Sequence, residues 1–308
     1  MNKLVAIFKL SRPFNALLVV FALWITRIVI GSLITSAGLQ LHIAVYDFWV
    51  VCLIGTFILA AGNVINDIVD KDIDVINKPH KALIPKVVSE RFAWLVYWAL
   101  NLFAFVLSLW LGWKYGLAGY LIVPILAIIL LYIYSYYLKK TAFYGNMVIA
   151  LLCAGMPFVY FVLEYDVIVQ LKAQSPAIFQ ELELKGWSMI IFSFMLVLAR
   201  EIIKDCEDVE GDEAAGARTL PLAMGTKDAF TLATVILMLY LCVFIFLGVW
   251  RYTLTHREVL LWAVGVYVVL VLGSFYFARR GREGQKLYKR LSSLIKLYLI
   301  FGLIFILY

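Results

Sequence analysis

Asn63-Val64-Ile65-Asn66-Asp67-Ile68-Val69-Asp70-Lys71-Asp72-Ile73-Asp74 closes a long apolar run and sets the reading of the whole chain. Asp67, Asp70 and Asp74 are spaced by three and four residues. On a helix that spacing lays three carboxylates along one face, where like charges repel. A positive partner must offset them. Hard divalent cations take oxygen ligands, and Mg²⁺ commonly binds through one or two carboxylates together with substrate phosphates. The stretch therefore reads as a Mg²⁺–phosphate site at the mouth of a membrane helix.

Outward from this stretch, the pattern recurs. Shifting Ala61–Asp74 by 138 positions gives Ala199–Asp212, with Asp205, Asp208 and Asp212 on the three aspartates and Lys204 on Asn66. Both copies follow a hydrophobic span. Matching acidic clusters in two halves predict a duplicated unit whose halves share one site.

The spans dominate the composition. The 308 residues are 64% hydrophobic and only 15% charged, with a mean hydropathy of +0.94. Soluble chains are nearer half apolar and a quarter charged, so the chain is predicted to be an integral membrane protein. With a bilayer core needing about 20 apolar residues per helix, nine spans are expected, at roughly 14–36, 47–66, 92–112, 116–138, 144–163, 186–203, 228–250, 258–277 and 292–308. No low-complexity linker divides them. The expectation is one all-α polytopic domain over 1–308, nine transmembrane helices around a central cavity, in two pseudo-repeated halves. Met1–Pro13 shows no cleavage pattern and reads as the lead into an uncleaved first helix. The mixed stretch 164–185 is expected to be an outward-facing connector.

Charge placement orients the spans. Most of the 27 Lys and Arg fall on the side of the N-terminus, including Lys3, Lys9, Arg12, Lys139, Lys140, Arg218 and the basic block 279–290. Lys114, Lys172, Lys185, Arg251 and Arg257 fall on the other. By the positive-inside rule the N-terminus and both Asp motifs are cytoplasmic, in a cell (inner) membrane. The net charge of +7 sits beside spans, where it meets anionic lipid, so nucleic acid is not an expected partner. The basic block reads first as a membrane anchor. Cys52, Cys153, Cys206 and Cys242 form no C-x-x-C pair, so neither a disulfide framework nor zinc is expected.

A Mg²⁺-held diphosphate can leave an allylic carbon, because metal ions stabilise departing oxygens. Arg200, Lys204, Lys78 and Lys81 are the cations nearest the two motifs in sequence. The resulting carbocation needs a dry pocket with aromatic faces, each contributing roughly 0.5–2 kcal/mol. Asn63 and Asn66, one turn above the carboxylates, are costly in a membrane and thus candidate functional groups. Arg27, in mid-span, is another.

At these residues the chain resembles the UbiA-type membrane prenyltransferases. Asn66-Asp67-x-x-Asp70-x-x-x-Asp74 with Asn77-x-Pro79 is similar to the first Asp-rich motif of that family. Asp205-x-x-Asp208-x-x-x-Asp212 with Gly216-x-x-Thr219-Leu220-Pro221 is similar to the second. Tyr134-Ser135-x-x-Leu138-Lys139, Gly145-Asn146 and Arg12-Pro13-x-Asn15 also fit. Arg200–Asp212 looks most like the digeranylgeranylglyceryl phosphate synthase branch, which attaches a second geranylgeranyl chain to geranylgeranylglyceryl phosphate through an ether bond.

The resemblance implies Mg²⁺, two ions, held by Asn66, Asp70, Asp74, Asp208 and Asp212. It implies Lys139 on the diphosphate and Tyr134 near the departing oxygen, with Tyr136 and Lys140 an alternative pair that the sequence leaves open. Asn66, Asp67, Lys78, Lys81, Arg200, Lys204 and Asp205 would bind substrate. Lys81-Ala82 stands where many members carry Arg-Pro, which keeps the charge but loses a bidentate fork. The expected partners are a prenyl diphosphate, a lipophilic acceptor and membrane lipid, with no obligate protein partner. An aromatic quinone precursor is the alternative acceptor; a tetrapyrrole fits less well, since His42, His80 and His256 form no haem-ligand pattern. A cation-coupled transporter is the alternative of another class, opposed by the placement of the acids at one membrane face rather than mid-membrane. A lipid-surface scaffold would need neither Asp motif.

Overall fold

The computed structural model describes residues 6, 8, 10–72, 83–256, 264–269, 271–273, 276 and 284–306. Among them the chain is helical, with no strand. The helices are α1 (Pro13–Ser36), α2 (Val45–Val69), α3 (Glu90–Tyr115), α4 (Gly119–Tyr136), α5 (Tyr144–Leu163), α6 (Tyr165–Gln174), α7 (Pro176–Ala214), α8 (Leu220–Met224), α9 (Thr226–Thr255) and α10 (Gln285–Phe305). A further helical stretch covers 264–273.

Local chemistry sets several of these ends. Pro13 opens α1, where a missing N–H costs nothing. Ser89 caps α3 by accepting the Phe92 N–H at 3.4 Å. Gly116, at φ 65°, ends α3 in the left-handed conformation that glycine adopts without strain.

Seven helices among the described residues are long and apolar enough to cross a membrane: α1–α5, α7 and α9. The stretch 264–273 and helix α10 stand where the eighth and ninth spans are expected. Helix α10 carries Lys286, Lys289, Arg290 and Lys296, and this dilutes its hydropathy. Helix α7 is longer than expected. Its 39 residues extend about 58 Å at the standard rise, well past a hydrocarbon core of about 30 Å.

The structure corrects the expected connector at 164–185. That stretch is α6 and the first turns of α7. Val167, Ile168 and Leu171 bury one face of α6 while Asp166, Gln170, Lys172 and Gln174 lie on the others, so the segment falls below a span's hydropathy yet keeps a helical period.

The chain forms two compact units, residues 1–139 with 155–186, and residues 140–154 with 187–308. Each carries one Asp motif. In the first unit α2 is the hub, packing on α3, α4 and α1. Small residues let these helices approach, as is usual in membranes: a Cβ on Gly62 of α2 would sit 3.0 Å from Leu131 of α4. One apolar cluster joins Leu23, Ile30, Phe48, Ile58, Leu111 and Tyr160. A second joins Ala61, Val64, Ile65 and Ile68 to Ala6, Leu10, Val88 and Tyr97, and fixes the motif-bearing end of α2. Trp98, Leu102, Phe103 and Val106 of α3 point outward, as lipid-facing residues do.

The second unit is built on rings. Phe244 packs 4.5 Å from Tyr267 and 4.4 Å from Phe305, and Phe192 packs 5.3 Å from Tyr240. The Tyr240 and Tyr267 hydroxyls lie 2.5 Å apart, and Tyr267 donates to the Tyr298 carbonyl at 3.0 Å, so these buried hydroxyls are satisfied.

Candidate active site

The first motif ends α2. Asn66 and Asp67 stand in its last turn, and Asp70 caps it, its N–H donating to the Asn66 carbonyl at 2.9 Å. Carboxylates here face the negative end of the helix dipole as well as each other. Cations from elsewhere in the unit offset this. Arg12 reaches Asp67 at 2.9 Å, and Lys139 pairs with Asp70. The Ser135 hydroxyl donates to the Asn66 side-chain oxygen at 2.8 Å. Asp67 and Asp70 keep side-chain exposures of 21% and 16%, so both remain open to a ligand. Lys71 is turned away by Glu90, 2.5 Å from it, whose carboxylate holds the Lys71 ammonium above its ordinary range.

Helix α4 and the short 3₁₀ turn Leu138–Lys140 carry the intervening motif. Tyr134 and Ser135 are buried, on the α4 face that meets α2, and Lys139 follows them to Asp70. Tyr136 packs on Tyr132 at 4.8 Å, and Lys140 is exposed. The geometry thus separates the two pairs that the sequence leaves open and brings Lys139, not Lys140, to the first motif.

The second motif lies on the last turns of α7. Asp205, Asp208 and Asp212 are all partly exposed. Asn146 of α5 donates to Asp205 at 2.8 Å. Arg200 pairs with its neighbour Glu201, and its buried Nε has no hydrogen-bond partner among the described residues. After α7 the chain turns at Gly216, at φ 65°, with the Ala217 N–H on the Asp212 carbonyl at 2.9 Å. The Arg218 N–H then donates to the Lys140 carbonyl at 2.9 Å. Lys204 is half-buried beside the motif.

Asp74, Lys78 and Lys81 lie outside the described residues, as do Asn77, Pro79, Arg279, Arg280 and Arg282. Among the described residues no three His, Cys, Asp or Glu side chains are grouped to hold a metal. The donor set of the first motif is nonetheless hard oxygen, two carboxylates and an amide. That suits Mg²⁺, which takes few protein ligands and completes its shell with water and phosphate.

Arg27 donates to the Ile43 carbonyl at 3.1 Å and to Tyr160 at 3.4 Å, and lies 4.9 Å from the Phe48 ring. It braces the α1–α2 connection. A groove of about 380 Å³ follows one face of α9 from Lys227 to Cys242 and contains no motif residue. Sequence reasoning missed Arg12, Ser135 and Asn146 as partners of motif residues. Each stands inside a family-like stretch, so the signal was present without the pairing.

The family model of the UbiA prenyltransferase family matches residues 18–300. A digeranylgeranylglyceryl phosphate synthase of Thermococcus kodakarensis is 35% identical over 73% of this chain and 70% of its own length. One from Korarchaeum cryptofilum is 30% identical over 99% of this chain and 96% of its own. A solved structure concerned with digeranylgeranylglyceryl phosphate synthase in membranes matches 100% of this chain and 98% of its own, with a TM-score of 0.65 and 23% identity. A UbiA homologue from Archaeoglobus fulgidus, bound to DMAPP and Mg²⁺, matches 97% and 98% with a TM-score of 0.58 and 16% identity. Both structures share the fold. The chain belongs to the UbiA prenyltransferase family and is an integral membrane enzyme of the class that transfers prenyl groups.

Proposed function

We propose that this protein transfers a geranylgeranyl group from geranylgeranyl diphosphate to geranylgeranylglyceryl phosphate, acting as one domain with both Asp motifs at the cytoplasmic face. The observation that carries the reading is the near full-length likeness to the Korarchaeum cryptofilum synthase. The asymmetric placement of Lys and Arg supports the orientation.

In this reading Asn66, Asp70 and Asp74, with Asp208 and Asp212, hold two Mg²⁺ ions. Bound Mg²⁺ would neutralise the diphosphate oxygens as they depart. Lys139, paired with Asp70, adds a cation for the diphosphate, and Tyr134 lies one residue before the Ser135 that orients Asn66. The bond between the allylic carbon and the diphosphate oxygen breaks, and the oxygen leaves with the electron pair. The acceptor's glycerol hydroxyl oxygen forms the new ether bond and releases its proton to solvent. Arg200 and Lys204 serve the acceptor end, where a phosphate calls for cations, and Asp205 stands beside Asp208 and Asp212 in the second motif. Lys78 and Lys81, which follow the first motif in sequence, add cations for the diphosphate in this reading.

Purified protein offered geranylgeranyl diphosphate and several acceptors, with and without Mg²⁺, tests the reading by mass spectrometry. A digeranylgeranyl ether phosphate formed only with Mg²⁺ supports it. Prenylation of an aromatic acceptor alone would replace this acceptor with the quinone-type one.

A further inference from the structure

The segment before α1 meets the first motif at two points. The Ser11 carbonyl accepts from the Asn63 side chain at 3.3 Å, and the Arg12 guanidinium reaches Asp67 at 2.9 Å through one nitrogen. Ala6 and Leu10 are buried in the cluster that holds Ala61, Val64, Ile65 and Ile68. The backbone of the segment is therefore anchored, while the Arg12 side chain stays 44% exposed.

Arg12 also has a left-handed backbone, φ 50°, ψ 66°. That conformation is costly for a residue with a side chain, and such strain gathers at functional positions. A half-exposed ion pair returns little stability, so structural bracing is a weak reason to keep it. Its chemistry suggests a better one. Guanidinium offers a planar fork of donors that matches phosphate as well as carboxylate.

We propose that Arg12 is a positioning residue that occupies Asp67 while the site is empty and transfers to the diphosphate when substrate arrives, which frees the carboxylate to face Mg²⁺. The inference rests on the reading of the first motif as a Mg²⁺–diphosphate site. It makes metal and diphosphate binding cooperative through one side chain, since the diphosphate removes a competitor of the metal. Anchored at Ser11 and Leu10, the segment does not need to open; only the side chain turns.

The test is binding rather than turnover. Mn²⁺ is titrated by electron paramagnetic resonance into the full-length protein in detergent, with and without inorganic diphosphate. In wild type, diphosphate should tighten Mn²⁺ binding by about 5- to 10-fold or more. In Arg12→Gln, Mn²⁺ alone should bind several-fold tighter than in wild type, diphosphate alone should bind weaker, and the cooperativity should shrink. Arg12→Lys should restore part of it. Asp67→Asn frees Arg12 and should tighten metal-free diphosphate binding, a readout that stands even where Arg12→Gln does not fold.

Mn²⁺ affinity unchanged in Arg12→Gln, or metal-free diphosphate binding unchanged in Asp67→Asn, overturns the proposal while wild type still binds both ligands. Wild type that binds neither ligand overturns the reading of the motif itself.

Discussion

The Lys139 ammonium is paired with the Asp70 carboxylate, two side chains 69 positions apart in sequence. The pair joins the 3₁₀ turn after α4 to the cap of α2. It places a cation and an anion where a Mg²⁺-bound diphosphate would need one of each. Here they neutralise one another; in the proposed reading, ligand would give each a separate partner.

Lys139→Gln should therefore lower kcat/KM for prenyl transfer by roughly 10²–10³, the loss typical of one preorganised electrostatic group. Lys140→Gln, an exposed side chain, should stay within a few-fold of wild type. Steady-state kinetics with geranylgeranyl diphosphate checks both. Equal losses would mean that the rotation about the end of α4 does not select the residue.

Ser135→Ala removes the hydroxyl that orients Asn66. A neutral hydrogen bond of this kind is worth about 1 kcal/mol, so a loss of about 5-fold is expected. It should appear in the apparent Mg²⁺ affinity more than in the affinity for the acceptor. A Mg²⁺ titration of initial rates checks this.

How much of this was legible in the sequence depends on range. The Asp spacings and the apolar runs are local, and they are visible in the chain because helix period and span length are themselves local properties. The pairings are not. Arg12 meets Asp67 across 55 positions and Asn146 meets Asp205 across 59, distances that no periodicity encodes. The choice between Tyr134 with Lys139 and Tyr136 with Lys140 turns on the rotation of one helix, and α4, apolar around most of its circumference, does not state its buried face. At 164–185 the mixed charge suggested a loop. The buried Glu164 there serves structure and gives a further expectation.

Glu164 is fully buried and accepts the backbone N–H groups of His42 at 2.6 Å and Ile43 at 3.2 Å. Glu164→Ala leaves both donors unpaired, the buried one at about 1–3 kcal/mol, and should lower the thermal midpoint in detergent by several degrees. Glu164→Gln keeps an acceptor and should lose less. Burial pushes the carboxyl above its ordinary value of 4.5, against the lowering effect of those N–H groups and of Arg27. A raised carboxyl binds its proton more tightly folded than unfolded. Its contribution is thus full below pH 4.5 and falls as pH rises through the folded value. That decline should be absent in Glu164→Gln, as thermal unfolding across pH reports.

Chelation separates the enzyme from a carrier. EDTA should abolish prenyl transfer, with recovery on excess Mg²⁺, because in the proposed reading the oxygen donors of both motifs would act through the metal. Proton-coupled transport in proteoliposomes would proceed in EDTA, and persistence of a transport signal with no prenyl product would favour the carrier.

The most direct measurement is single-turnover prenyl transfer by Asp70→Asn and Asp208→Asn, one variant from each motif, at saturating Mg²⁺. Each substitution keeps shape and removes a charge. Both variants should fold as wild type and react slower by orders of magnitude, since metal-held stabilisation of the leaving group is worth several kcal/mol. Rates within a few-fold of wild type in both would contradict the account.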